Sequence, residues 1–204
     1  MNNLKTDLMV PENTIGKTVD INHTVKLNKE EAKTTYNVAR ERLLNPDCWR
    51  DLAGIGTAEF ELISRNEDFK QVQENDYLRI NIPGPGSIAG DGYDWVIVEK
   101  IEENNFSETD KNIGLKLRAS SNPHTDKTDT AHFFKKEATS TFIIKLKDDV
   151  VTAYYYGRNE VPNVEDVPIL DKVRNTVVAT GAAIGLSELQ WNALLTGFLQ
   201  KEEL

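Results

Sequence analysis

The chain has 204 residues, enough to bury a core of its own without disulfide or metal staples. It is 39% hydrophobic and 28% charged, the balance of an ordinary globular domain. A formal net charge of -9, with no basic run to reverse it locally, argues against nucleic acid and anionic membrane surfaces as partners.

Residues 1–16 read as an irregular lead-in punctuated by Pro11 and Gly16. From Lys17, "KTVDINHTVKL" alternates, with Val19, Ile21, His23 and Val25 on one face, and predicts a first strand. Asn28 then caps "NKEEAKTTYNVARERLL", and Glu31 three residues later completes a capping-box pattern. Ala32, Tyr36, Ala39 and Leu43 recur at helical spacing, so a helix is expected over 29–44. Asn45-Pro46 ends it, and a short second turn carries Trp49 and Leu52 to Gly54.

The middle of the chain has period two. "TAEFELI" puts Ala58, Phe60 and Leu62 on one face, and "DYLRINI" does the same with Leu78, Ile80 and Ile82. "YDWVIVEKI" is apolar on both faces near Trp95, which predicts a central strand. "NIGLKLRA" alternates Ile113, Leu115 and Leu117 against Lys116 and Arg118, and "ATSTFIIKL" and "VVTAYYYG" flank a "KDD" hairpin turn. Near the C-terminus, Pro168 opens a helical pattern that bends or stops at Gly185. A final helix is expected over 188–200, with Ser187 and Gln190 as capping box, Leu186 and Trp191 as staple, and Trp191, Leu194, Leu195 and Phe198 as the apolar set. The small-residue run "TGAAIG" at 180–185 reads as a close helix approach, because Asp171 and Arg174 rule out a membrane span.

These elements predict an α+β domain over 17–204. A curved antiparallel sheet of about six or seven strands grips a long C-terminal helix, with an N-terminal helix after the first strand. The order resembles the helix-grip superfamily, which includes START lipid-transfer domains, birch-allergen-like proteins and polyketide cyclases. The resemblance is carried by "TVDINHTVKLNKEEAKTTYNVARERLLNPDCWRDLAGIG" and by the closing helix. "GPGSI" at 84–88 looks like the glycine-rich hairpin loop of the allergen-like branch, although Ala89 stands where that branch has a lysine and the loop falls one hairpin later.

In that superfamily the space between sheet and long helix is often a ligand cavity. The resemblance therefore implies a non-enzymatic, START-like domain that binds a small hydrophobic molecule. Phe60, Trp95, Phe142, Tyr154 and Tyr156 are the candidate lining, and Gly84, Gly86, Gly90 and Gly92 the candidate lid. Two alternatives stay open. One is a protein-interaction or structural module with a filled core, exposing the lead-in and the strand edge around Tyr155. The other is a cyclase- or hydrolase-like enzyme, which needs ionisable groups that converge in a pocket.

No other motif supplies a reaction. The glycine stretch "NIPGPGSIAGDGYDW" joins two predicted strands and lacks the lysine and following helix of a phosphate loop. His124, Asp126, Asp129 and His132 in "HTDKTDTAH" match no zinc or calcium spacing and read as a solvated loop. No cofactor and no metal are expected. Arg118 and Arg158 read as surface ion-pair partners. Cys48 is the only cysteine and reads as a partly buried structural thiol. A lone cysteine, no apolar leader in "MNNLKTDLMVPENT" and no bilayer-length apolar run lead to the expectation of a soluble, cytoplasmic protein, in which the terminal "KEEL" has no retention role.

Overall fold

The computed structural model describes residues 9–54, 57–64, 70–82, 87–163 and 186–201. In chain order these form β1 (Lys17–Lys26), α1 (Lys29–Leu43), a 3-10 turn (Pro46–Cys48) and α2 (Trp49–Ala53). Then come β2 (Glu59–Ile63), β3 (Tyr77–Asn81), β4 (Asp94–Ser107), β5 (Asp110–Ala119), β6 (Thr139–Lys147), β7 (Val150–Glu160) and α3 (Leu186–Leu199). The seven strands make one antiparallel sheet in the order β1-β7-β6-β5-β4-β3-β2. Bulges in the β1–β7 and β4–β5 ladders bend it into a curved surface. The helical pattern from Pro168, the Gly185 break and "TGAAIG" lie outside the described residues, as do the side chains of the expected α3 cap.

Register decides which side chains face the helices. Ile21 stands opposite Tyr155, Tyr155 opposite Phe142, Phe142 opposite Leu115, and Phe60 opposite Ile80. With Val98, Leu78, Ile144 and Val151 these residues form the inner face and the main core. α1 packs on this face at β6 and β7, and α3 packs at β1 and β7 while touching α1 and α2. One layer of helices on one face of an antiparallel sheet, closed by the C-terminal helix, is the helix-grip arrangement.

Local chemistry sets the element ends. The Asn28 side chain accepts from the Glu31 amide at 2.9 Å and Glu31 accepts from the Asn28 amide at 3.3 Å, which is the expected capping box. Arg42 links α1 to α3: its Nη1 donates to the carbonyls of Gly197, Phe198 and Gln200 at 2.9, 3.2 and 2.6 Å. A cation on the last carbonyls satisfies acceptors that have no helical partner and opposes the negative end of the helix dipole. The carbonyl of Arg42 accepts from the Trp49 indole at 2.9 Å, so the same residue also seats α2. On the sheet edge, the amide of Leu62 donates to Asp47 at 2.8 Å, which covers one open ladder position of β2.

Two features were not legible in the pattern. β4 runs on through the polar "EENNFS" because β5 pairs with it as far as Ser107 and Asp110. That hairpin arm then reaches α1, where Arg40 forms a bidentate pair with Glu103 at 2.9 Å. The lead-in is docked on the outer face: Met9 is 1% exposed against Gly114, where a Cβ would collide with its sulfur. Gly114 thus leaves the room on the sheet that the Met9 side chain occupies.

Candidate functional site

The inner face holds a continuous ring cluster. Trp49 lies 5.0 Å from Phe60 and 5.0 Å from Phe142, centroid to centroid, and 5.8 Å from Phe198. Trp191 on α3 stacks on Tyr155 at 4.6 Å and meets the edge of Phe142 at 5.5 Å. Side chains therefore occupy the space between the sheet centre and α3. Of the five residues expected to line a cavity, the structure brings Phe60 and Phe142 together here.

The other three face outward. Tyr154 and Tyr156 stack on each other at 5.9 Å on the outer face, and Arg158 sits 5.4 Å over Tyr156. The correction follows from strand alternation: three consecutive tyrosines cannot share a face, and the pairing of Tyr155 with Phe142 assigns the inward parity to Tyr155. Thr152 and Arg158 share the parity of Tyr154 and Tyr156, and that polar company was the readable signal. Trp95 pairs with Arg79 and belongs to a small outer cluster with Ala89 and Ala131. Its indole donates to the Gly90 carbonyl at 3.1 Å, and its ring meets His124 at 5.6 Å. Gly90 and Gly92 turn the chain over Trp95, on the side away from α3, and Gly84 and Gly86 lie outside the described residues.

The remaining sequence candidates have structural partners. His132 accepts the Phe134 amide at 3.0 Å, and among the described residues no group of three His, Cys, Asp or Glu could hold a metal. Cys48 donates to the Asn45 carbonyl at 3.0 Å, and burial pushes its thiol up, away from the reactive thiolate. Arg118 holds Glu99 at 2.7 and 3.0 Å, and Arg158 pairs with Asp20.

Ionisable and hydroxyl groups do converge at the loop end of the inner face. The Tyr155 hydroxyl lies 3.2 Å from Ser140 Oγ, and its ring stacks on Trp191. The Glu160 carboxylate lies beside the same hydroxyl, since a Cβ on Gly157 would meet both. Burial first, and then the charge of Glu188, push the Glu160 carboxyl up to about 7, against the opposing effects of Lys17, Arg158 and the neighbouring Tyr155 hydroxyl. Lys17 and Glu188 form a pair at 3.5 Å beside it.

A bulge places Glu160 there. Lys17 pairs with Glu160 and Val19 with Gly157, so β7 carries one residue more than β1 between these pairs. Without that residue, alternation would turn Glu160 outward. Within the bulge Asn159 takes the left-handed conformation, at φ 56°, which asparagine tolerates better than most residues. The lead-in holds Asn159 in place: the amides of Thr14 and Ile15 donate to its side-chain oxygen at 2.8 and 3.2 Å, and its own amide donates to Asn13 at 2.8 Å. Gly157 leaves room for the folded-back carboxylate, which a Cβ would strike. Sequence reading missed this site. The "GRNE" run, with an asparagine suited to the left-handed region between a glycine and a carboxylate, was the available sign.

No family model and no curated protein sequence matches this chain. Several solved structures are similar to it at low identity. An aromatase/cyclase, ZhuI, from Streptomyces sp. R1128 is 10% identical, with 89% of this chain and 94% of that one covered and a TM-score of 0.44. Protein Ms6760 from Mycobacterium smegmatis is 12% identical, with 96% and 99% covered and a TM-score of 0.42. A norcoclaurine synthase from Thalictrum flavum is 11% identical, with 90% and 94% covered and a TM-score of 0.40. These likenesses concern the course of the chain, and no ligand or activity passes from them to this protein. The strand order and the seat of α3 make the fold helix-grip.

Proposed function

We propose that this chain is a non-enzymatic, START-like binding domain for a small, mainly hydrophobic molecule with one polar head. The observation that carries this reading is the polar set of Glu160, Tyr155, Ser140 and Trp191 at the end of an otherwise aromatic interior. A few convergent polar groups beside apolar walls fix the orientation of such a ligand. Because side chains fill this space, the ligand enters by lifting α3, so that its apolar body replaces Trp191 against Phe60 and Phe142 and its head exchanges hydrogen bonds with Glu160 and Tyr155. Trp95, Tyr154 and Tyr156 have no part in this reading. A lone thiol bonded to a backbone carbonyl fits a reducing, cytoplasmic setting.

Native mass spectrometry of the purified protein, followed by displacement of a fluorescent fatty-amine probe whose ammonium head can donate to Glu160, tests the reading. Saturable probe binding that weakens at least about tenfold in Glu160→Gln and Tyr155→Phe is expected, in line with the loss of charge-assisted hydrogen bonds. Absence of saturable binding, or equal binding in both variants, would overturn it. Absence of binding would favour the filled-core interaction module instead.

A second reading has its own observation. A carboxyl near pKa 7 beside a tyrosine hydroxyl is suited to proton transfer at neutral pH. If the bound molecule is altered on incubation with the protein, and Glu160→Gln abolishes the change while still binding it, the domain is an acid–base enzyme.

A further inference from the structure

The two edges of the sheet differ. β2 is five residues long, and Asp47 takes its Leu62 amide. β1 stands at the other end of the strand order, is ten residues long and contains no proline. The Leu27 amide donates to the Asp149 carbonyl on β7 at 2.9 Å, one step beyond the Lys26–Val150 pair. Odd-numbered residues from Val19 onward therefore turn their backbone groups to β7, and Asp20, Asn22, Thr24 and Lys26 turn theirs to the open edge. Among the described residues, no hydrogen bond reaches these edge-directed backbone groups. Their side chains are exposed on the outer face, and Ile21, His23 and Val25 on the inner face are only half-buried. An open edge of this length is a template for another strand.

Side-chain chemistry selects that strand. A second β1 that runs antiparallel and keeps its inner face on the same side sets even residues against even ones and odd against odd. Asp20 and Lys26 are the only charged even-numbered residues of β1, and their signs are opposite. The register that sets Asp20 of one copy opposite Lys26 of the other does so twice, once on each side of the two-fold axis. It also sets Asn22 opposite Thr24, Ile21 opposite Val25 and Val19 opposite Leu27, with His23 of both copies on the axis. Half-buried apolar residues thus gain apolar neighbours, and no like charges of Asp20 or Lys26 meet. Every other register of this kind loses both charge pairs. The Asp20 and Lys26 side chains are 59% and 76% exposed beside their partners Arg158 and Asp149, so both can reach across the edge.

We propose that β1 is a self-association edge, at which two copies of this chain pair their β1 strands antiparallel, Asp20 opposite Lys26, and join their sheets into one. The contact is independent of the ligand reading, since it leaves Glu160, Tyr155 and Ser140 in place. A strand edge buries less surface than a standard interface, so the dimer is weak, with a dissociation constant on the order of 10–100 µM.

Sedimentation velocity of the full-length protein from about 1 to 300 µM, at about 0.15 M salt, tests this. A shift from monomer to dimer across that range is expected. Asn22→Pro removes an edge-directed amide while sparing the bonds to β7, and should raise the dissociation constant at least about tenfold with an unchanged circular dichroism spectrum. Asp20→Lys alone and Lys26→Asp alone each set like charges together twice and should weaken the dimer by about fivefold or more. An equimolar mixture of these two variants should recover the parental affinity, because in the mixed pair every introduced charge faces an opposite one. This recovery reports on the contact even if the proline variant does not fold. A chain that stays monomeric at the highest concentration, a dimer unchanged by folded Asn22→Pro, or no gain on mixing the charge variants would each overturn the proposal.

Discussion

A carboxyl folded back over a glycine and shielded from water resists ionisation, and Glu160 is in that position above Gly157. Its folded value of about 7 against 4.5 for the free side chain means that the folded protein keeps a proton that the unfolded chain releases between those values. Stability therefore falls as pH rises from 4.5 to about 7, by up to about 3 kcal/mol, and this contribution is level above that. Lys17 on β1 and Arg158 on β7 lessen the effect, and Glu188 on α3 enlarges it. Glu160→Gln should flatten this part of the profile and exceed the parent protein in stability at pH 8. Urea unfolding at pH 5 and pH 8 measures both, and an unchanged pH slope would mean that Glu160 ionises freely. None of this was legible at the residue scale in the sequence, because a terminal strand glutamate looks like a solvated one until a bulge turns it inward.

At the scale of elements, α3 is short of backbone partners at its C-terminal end, and Arg42 supplies them from another helix. Arg42→Ala should destabilise the protein by about 2 kcal/mol, since charged hydrogen bonds are lost and the carbonyls left behind are partly buried. Amide exchange should rise first in residues 196–201, with α1 protected, whereas uniform loss of protection would mean that the arginine supports the core as a whole. The helices themselves were readable. The Asn28–Glu31 box and the Trp191, Leu194, Leu195 and Phe198 stripe place α1 and α3 to within a residue or two. The run "VVTAYYYG" was not readable in its facing, since bulky residues occupy both parities and only pairing with β6 separates them.

For the whole molecule, the lead-in and the polar site are mechanically joined. Residues 13–15 fix Asn159, Asn159 makes the bulge, and the bulge turns Glu160 inward. Removing residues 1–16 should leave the sheet intact, lower stability by about 2–4 kcal/mol through loss of the Met9 seat and these bonds, and return Glu160 toward an ordinary carboxylate. Circular dichroism and the pH slope of unfolding check the two parts. A truncated protein with the full slope between pH 4.5 and 7 would show that the bulge holds itself.

The sequence by itself determined most of the strands, the α1 cap and the order of the elements, an order that resembles the helix-grip superfamily. These follow from periodicity and capping, which act over a few neighbouring residues. Only the tertiary structure decided which of the three tyrosines points inward, that Trp95 serves the outer face, and that Ser140, Tyr155, Glu160 and Trp191 meet. Those outcomes depend on cross-strand register, on one extra residue in β7 and on contacts between residues 145 positions apart, such as Thr14 with Asn159, where local pattern carries no information.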